Sequence, residues 1–324
     1  ILGAPIVFNT TPNSTKLKTY STKPKLEPYW VTGFADAEST FSIRIRSGFP
    51  PSGRISNNES RLFGIRLHPI FSIELHIRDI DVLHKIKDFF KVGSVKERIR
   101  GGKSSAIYSV QSINDIVTVI IPHFIKYPLI TQKQADFILF SSAVKLINNE
   151  EHLTEKGLKK ILSIRASMNK GLSARLKELF PNIIGVKRPT ISNQTIKSPF
   201  WLVGFVDGEG CFYIKITKLK KISLAFLLYQ HSRDSYLFNI IKDYLDCGII
   251  EKKLTRPDEI TLVIYSLKDL VKKVLPFFEK YPLITQKQKD LNALKKVSSL
   301  MLNKEHLTEK GLKKILLIKE LKKA

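Results

Sequence analysis

Two glutamates, Glu38 and Glu209, close two similar segments, Trp30-Val31-Thr32-Gly33-Phe34-Ala35-Asp36-Ala37-Glu38 and Trp201-Leu202-Val203-Gly204-Phe205-Val206-Asp207-Gly208-Glu209. Both read as helices, started by Pro28 and by the Ser198-Pro199 pair, since serine caps an N-terminus and proline suits the first turn. Each glutamate then falls at a carboxyl end, where the helix macrodipole disfavours negative charge. Gly33 with Ala37, and Gly204 with Gly208, put small residues one turn apart, so two such helices can pack backbone to backbone. Packed in parallel, they bring both carboxylates to one end, where like charges repel. An acid set against its local preference twice, at matched positions, marks a functional site. Two close carboxylates with few other ligands suit Mg²⁺, which takes oxygen donors and keeps several waters. Such an ion, held between the strands of a nucleic-acid duplex, activates water and stabilises the leaving oxygen of a phosphodiester. A pair of ordinary buried helices would account for the glycines but not for the acids.

The elements that position these acids come in two copies. The block Lys126-Tyr127-Pro128-Leu129-Ile130-Thr131-Gln132-Lys133-Gln134 recurs unchanged at 280–288, and Glu151-His152-Leu153-Thr154-Glu155-Lys156-Gly157-Leu158 recurs within 305–315. Such identity signals duplication. His76 and Asp79 align with His231 and Asp234, and Gly93 with Gly248. The first copy carries extra residues in the Gly/Pro/Ser/Asn/Arg stretch 47–61, which reads as a long hairpin tip. After each glutamate a strand alternates: Phe41, Ile43 and Ile45 face one way and Ser42, Arg44 and Arg46 the other. Phe212, Ile214 and Ile216 oppose Tyr213, Lys215 and Thr217 in the second copy. Second strands are expected at 66–76 and 223–231. Helices follow at 79–91 and 234–246, then two short strands, then helices at 113–124, 131–148 and 154–169 with their counterparts. The expected fold class is α+β, with one four-stranded antiparallel sheet per repeat and helices on one face. Residues 1–24 read as an irregular arm, 25–170 as the first repeat, 171–197 as a link and 198–324 as the second repeat.

Charge points to the partner. The 324 residues carry 54 Lys and Arg against 29 Asp and Glu, a formal charge of +25. A polyanion would relieve that self-repulsion, and nucleic acid is the natural one. At 43% hydrophobic residues the chain can bury a core and is not a disordered basic tail. Cys211 and Cys247 form no CxxC or zinc spacing and no disulfide framework. No run of apolar residues is long enough to span a bilayer as a helix, so no membrane partner is expected.

The two glutamate segments resemble the paired LAGLIDADG motifs of single-chain homing endonucleases, and the repeated blocks resemble the subgroup common in fungal mitochondria. The resemblance covers roughly 25–324. It implies a pseudo-symmetric αββαββα fold, Mg²⁺-dependent cleavage of both strands of an asymmetric double-stranded DNA site, a monomer, and the mitochondrial matrix. Other divalent ions are alternatives to Mg²⁺. It carries metal binding to Glu38 and Glu209, and a structural, helix-end role to Asp36 and Asp207. Gln230 matches a strand-end glutamine that holds metal-bound water in relatives, with Leu75 as its counterpart. Lys133 and Lys287, or Lys126 and Lys280, are candidates for a basic residue near the scissile phosphates. Ser39 replaces the glycine kept as Gly210; if that position needs positive φ, serine is strained and shifts Glu38.

The reading surface follows from alternation. Ser42, Arg44, Arg46, Ser72 and Glu74 share a face in the first repeat, and Tyr213, Lys215, Thr217, Leu227 and Tyr229 share it in the second. Arginine suits guanine edges and glutamate suits cytosine amino groups. Arg54 and Arg61 on the long tip extend this surface. Arg98, Arg100 and Lys103, expected on another turn, add phosphate contacts. Two rivals use the same fold without the acids: an RNA-binding intron maturase and a non-catalytic DNA-binding protein.

Overall fold

The computed structural model describes residues 26–47, 65–192 and 194–321. α1 (Pro28–Glu38) runs directly into β1 (Ser39–Ser47), which pairs with β2 (Ile65–His76). α2 (Ile80–Phe90), β3 (Ser94–Arg100) and β4 (Lys103–Val110) follow. The repeat ends with α3 (Ile121–Lys126), α4 (Lys133–Asn148) and α5 (Glu155–Ala166). A short helix, α6 (Ala174–Leu179), stands within the link between repeats.

The second copy keeps the same order. It comprises α7 (Pro199–Glu209), β5 (Gly210–Ile216), β6 (Ile222–His231) and α8 (Ser235–Leu245). β7 (Ile249–Lys253), β8 (Arg256–Ile264), α9 (Leu275–Lys280), α10 (Lys287–Leu302) and α11 (Glu309–Leu321) complete it. Both sheets are antiparallel, ordered β1-β2-β4-β3 and β5-β6-β8-β7, the α+β arrangement expected from the sequence.

Alternation decides which face each sheet buries. Phe41, Ile43, Phe71 and Ile73 are buried in the first sheet, and Phe212, Ile214, Phe226 and Leu228 in the second. The rings repeat as well as the strands. Phe41 meets Phe124 edge-on at 5.3 Å, and Phe212 meets Phe278 edge-on at 5.7 Å, a favoured geometry for aromatic pairs. Core residues of both copies join into one continuous cluster through α1 and α7, so the two repeats are halves of one packed body.

α3 and α9 are each entered through a π-helical turn, Ile116–Ile120 and Leu270–Val274. Pro122 and Pro276 follow; a proline has no N–H and crowds the carbonyl four residues back, which the wider turn relieves. These helices deliver the chain to the duplicated Tyr-Pro-Leu-Ile-Thr-Gln-Lys block. The link is tied down by Arg188, which donates to both oxygens of Asp136 at 2.8 Å and onward to the Ser167 and Gln132 carbonyls. The extra segment of the first copy lies outside the described residues, and so do Arg54 and Arg61; Ser47 and Ile65, on either side of it, pair with each other.

Candidate active site

The site is built on the contact between α1 and α7. A Cβ on Gly33 would stand 1.9 Å from the Trp201 carbonyl oxygen, and one on Gly204 2.1 Å from that of Trp30. No side chain fits there, so the backbones themselves touch. Tryptophans and aspartates cross between the helices. The Trp201 indole N–H donates to Asp36 and that of Trp30 donates to Asp207, both at 2.8 Å. Asp36 also accepts from the Ile130 and Thr131 N–H groups and from the Thr131 hydroxyl; Asp207 accepts the same set from Ile284 and Thr285. The word-for-word repetition of this block therefore has a structural cause. Each copy holds the buried aspartate of its own helix.

Both helices end at their glutamates and leave directly as strands. Glu38 and Glu209 are half-buried on the same end of the pair, with Glu38 against Gly208: a Cβ there would lie 3.2 Å from the Glu38 Cγ. Burial pushes the Glu209 carboxyl up to about 7, and the charge of Glu38 pushes it the same way. Burial also raises Glu38, while Lys287 and Lys133 oppose the rise. Those lysines are the first residues of α10 and α4. Lys133 Nζ donates to the Ala35 and Ala37 carbonyls at 3.0 and 3.1 Å; Lys287 Nζ donates to those of Val206 and Gly208. Each ammonium thus caps the last carbonyls of a motif helix and sits where the dipole and both acids are negative. Burial lowers Lys133 to about 8 against the pull of Asp36, Glu38 and Glu209, and burial lowers Lys287 too. Lys126 and Lys280 go elsewhere: both are exposed, over the rings of Tyr127 and Tyr281.

The donors at this end are oxygens. Among the described residues no group of three or more His, Cys, Asp or Glu side chains gathers to hold a metal. Two carboxylates with raised pKa fit a hard divalent cation that fills its remaining positions with water and substrate oxygens. Gln230 lies on the strand face shared with Leu228, and its side-chain oxygen accepts from the His231 N–H at 2.9 Å.

The uncovered face of each sheet carries the residues expected to read a ligand. Registers set Ser42, Arg44 and Arg46 opposite Ile70, His68 and Arg66, and continue the face through Ser72 and Glu74. Tyr213 and Lys215 lie opposite Ala225 and Ser223, with Leu227 and Tyr229 beyond. Three placements differ from the sequence reading. Arg98 and Lys103 are strand residues of this same face, and the Arg100 backbone pairs with Lys103, so none lies on a separate turn; only Gly101 and Gly102 turn between the strands, both at positive φ. Arg98 stands 3.7 Å from Glu74, which also accepts from the Ser105 hydroxyl at 2.8 Å, so this acid is already engaged. Thr217 lies one residue past β5 and closes the tight turn to β6, its hydroxyl accepting from the Lys221 N–H at 3.1 Å.

Comparison with known proteins now bears on this geometry. The family model described as LAGLIDADG endonuclease matches residues 31–144 and 202–298, each match including one of the two glutamates. The chain belongs to the LAGLIDADG endonuclease family. It is 34% identical over 310 residues to a probable intron-encoded endonuclease 3 of Neurospora crassa, covering 94% of this chain and 56% of that one. The chain thus spans little more than half the length of this relative. The crystal structure of the LAGLIDADG homing endonuclease I-GzeII in complex with its DNA target superposes with a TM-score of 0.82 at 38% identity, covering 91% of this chain and 97% of that one. I-SmaMI bound to uncleaved DNA in the presence of calcium ions gives 0.83 at 37% identity, covering 91% and 98%.

Within this LAGLIDADG chain, Ser39 carries none of the strain expected of it. Its φ is −84° and that of Gly210 is −74°, both ordinary extended backbone. The constraint is steric. A Cβ on Gly210 would meet Val206 Cγ1 at 2.6 Å, whereas Ser39 faces the smaller Ala35 and donates its hydroxyl to the Ala35 carbonyl at 2.6 Å. Sequence reading also missed a role for Asp79 and Asp234, although it aligned them. The Asp79 carboxylate accepts from the Gln286 N–H at 3.1 Å and that of Asp234 from the Gln132 N–H at 2.7 Å. Each repeat therefore holds the start of the lysine-bearing helix of the other. The signal was an aspartate retained in both copies just before a helix, with no local cap to explain it.

Proposed function

We propose that this chain is a site-specific homing endonuclease that hydrolyses phosphodiester bonds on both strands of a long, asymmetric double-stranded DNA site. It does so with Mg²⁺, as a monomer, in the mitochondrial matrix. The observation that carries this reading is the pair of carboxylates, Glu38 and Glu209, held together at the ends of two touching helices between two uncovered sheets. The +25 charge suits a polyanionic substrate. Relatives named as DNA-bound endonucleases, one of them with calcium, support the substrate and the use of a divalent ion.

In this mechanism Glu38 and Glu209 would hold the divalent cations. A bound cation supplies charge neutralisation at the phosphate and lowers the pKa of its water. The chain's residues do the rest. Lys133 and Lys287 balance the acids and present positive charge beside the phosphate oxygens. Asp36 and Asp207 lock the two helices so that the carboxylates keep their spacing. The open faces grip both half-sites and hold the central phosphates over the acids, where fixed geometry lowers the entropic barrier to in-line attack. Because one chain supplies both acids, one chain completes the site.

A library of duplex DNA incubated with the protein and Mg²⁺ is the test. Defined double-strand cuts at one asymmetric sequence are expected. Glu38→Gln or Glu209→Gln should abolish double-strand cleavage and leave binding in Ca²⁺ within a few-fold. Full cleavage by either variant would remove the assignment. Binding of intron RNA with no DNA cleavage would favour the maturase reading, and DNA binding without cleavage a non-catalytic protein.

A further inference from the structure

The two open faces match row by row and differ in kind. The registers align Thr40 with Ser72, Ser72 with Ser109, and Ser109 with Ser94, so one row across the first sheet is four hydroxyls. The matching row of the second sheet aligns Cys211 with Leu227, Leu227 with Val263, and Val263 with Ile249. Beyond the Cys211 thiol that row is apolar, with Val263 buried and Leu227 and Ile249 accessible. Both rows start two residues after a glutamate, so both lie next to the acids. In the neighbouring rows the contrast holds at the accessible positions, since Ile70 and Ile107 of the first face and Thr261 of the second are buried. Where the first sheet has Ser42 and Glu74, the second has Tyr213 and Tyr229. Tyr213 and Ile249 are 46% and 54% exposed, and Leu227 and Tyr229 are half-buried beside them. Charge follows the same division. Arg44, Arg46, Arg66, Lys96 and Arg98 line the first face, whereas Lys215 shares the second with Glu251 and Glu259.

We propose that the second sheet recognises its half-site through thymine methyl groups, and that the first sheet recognises the other half-site by hydrogen bonding. This rests on the DNA-endonuclease reading. Thymine is the one base that presents a methyl group in the major groove. Covering it with Leu227, Ile249 and the tyrosine rings removes apolar surface from water. The same apolar row opposite a guanine or cytosine edge leaves donors and acceptors without partners, so it rejects as well as attracts. The hydroxyl row can donate or accept at any edge and gains nothing from a methyl. Its arginines supply guanine contacts and phosphate charge instead.

The test replaces thymine by uracil, which pairs identically and lacks only the methyl. The preferred duplex is first selected from a random library. A second selection with Tyr213→Ser, an exposed position whose change spares the core, shows which half-site faces the second sheet. Duplexes with uracil confined to one half-site are then titrated against the full chain in Ca²⁺. In the half-site facing the second sheet, each contacted methyl lost should weaken binding roughly threefold to fourfold, the equivalent of about 0.8 kcal/mol of buried hydrocarbon. Uracil in the other half-site should leave affinity unchanged, and Tyr213→Ser should shrink the penalty. Equal losses in both half-sites, no loss in either, or a selected half-site without thymine would overturn the inference and leave the endonuclease reading standing. Failure to bind any duplex would remove both.

Discussion

At the scale of single residues, the site sets two carboxylates and two ammonium groups against each other in a half-buried space. The sign of the resulting pH dependence follows. Glu209 is raised from 4.5 to about 7, so its ionised form is disfavoured in the metal-free fold. Below about pH 4.5 the acid is protonated whether the chain is folded or not, and costs nothing. Between 4.5 and 7 the cost grows, and above 7 it is complete. Glu209→Gln should therefore raise the melting temperature of metal-free protein by a few degrees at pH 8, with the gain vanishing towards pH 4.5. A melting series across pH checks this; equal gains at both ends would show that Glu209 is not under this strain. Protons and metal compete for the same carboxylate. The affinity of DNA-free protein for Mn²⁺, followed by electron paramagnetic resonance, should fall about tenfold per unit below pH 7.

At the scale of elements, the helix pair is the device that fixes the acids. Gly33→Ala must push a methyl into the Trp201 carbonyl, and backbone cannot rotate away as a side chain would. A loss of about 1–3 kcal/mol is expected, as for other overpacked cores, together with weaker cleavage because the carboxylates separate. Asp207→Ala leaves the Trp30 N–H, the Thr285 hydroxyl and two backbone N–H groups without their acceptor. Each buried donor left unsatisfied costs about 1–3 kcal/mol, so the loss should exceed that of Gly33→Ala. Urea unfolding measures both. If Asp207→Ala cost as little as a surface substitution, its bonds would not be holding the halves together.

At the scale of the molecule, basic residues are distributed unequally between the two sheets, with Arg44, Arg46, Arg66, Lys96 and Arg98 on the first face and Lys215 on the second. The basic first sheet should dominate the salt dependence of binding, with log K falling by about 0.9 per neutralised phosphate for each log unit of salt. Arg44→Ala should reduce that slope by up to about one unit, while Tyr213→Ser should weaken binding without changing the slope. Titrations across salt concentration separate the two, and identical slope changes would contradict the division of labour between sheets.

Much of this was legible in the chain. Matched Gly-x-x-x-small pairs and paired glutamates identified the helix contact, because close approach and like charge are properties of residue type and spacing. Period-two alternation sorted Phe41 from Ser42 and Phe212 from Tyr213, because strand geometry forces neighbours to opposite faces. Other features depended on what folding brings together. The sequence shows Lys133 and Lys126 alike as lysines of one duplicated block; only packing sets the first on the Ala35 and Ala37 carbonyls and the second over Tyr127. The fit of Ser39 depends on the size of Ala35 one turn back, not on its own torsion preference. The crossed bonds from Trp30 to Asp207 and from the Gln132 N–H to Asp234 join residues far apart in the chain. Local pattern names the groups, but a hydrogen bond between halves exists only once two packed surfaces have fixed its direction and length.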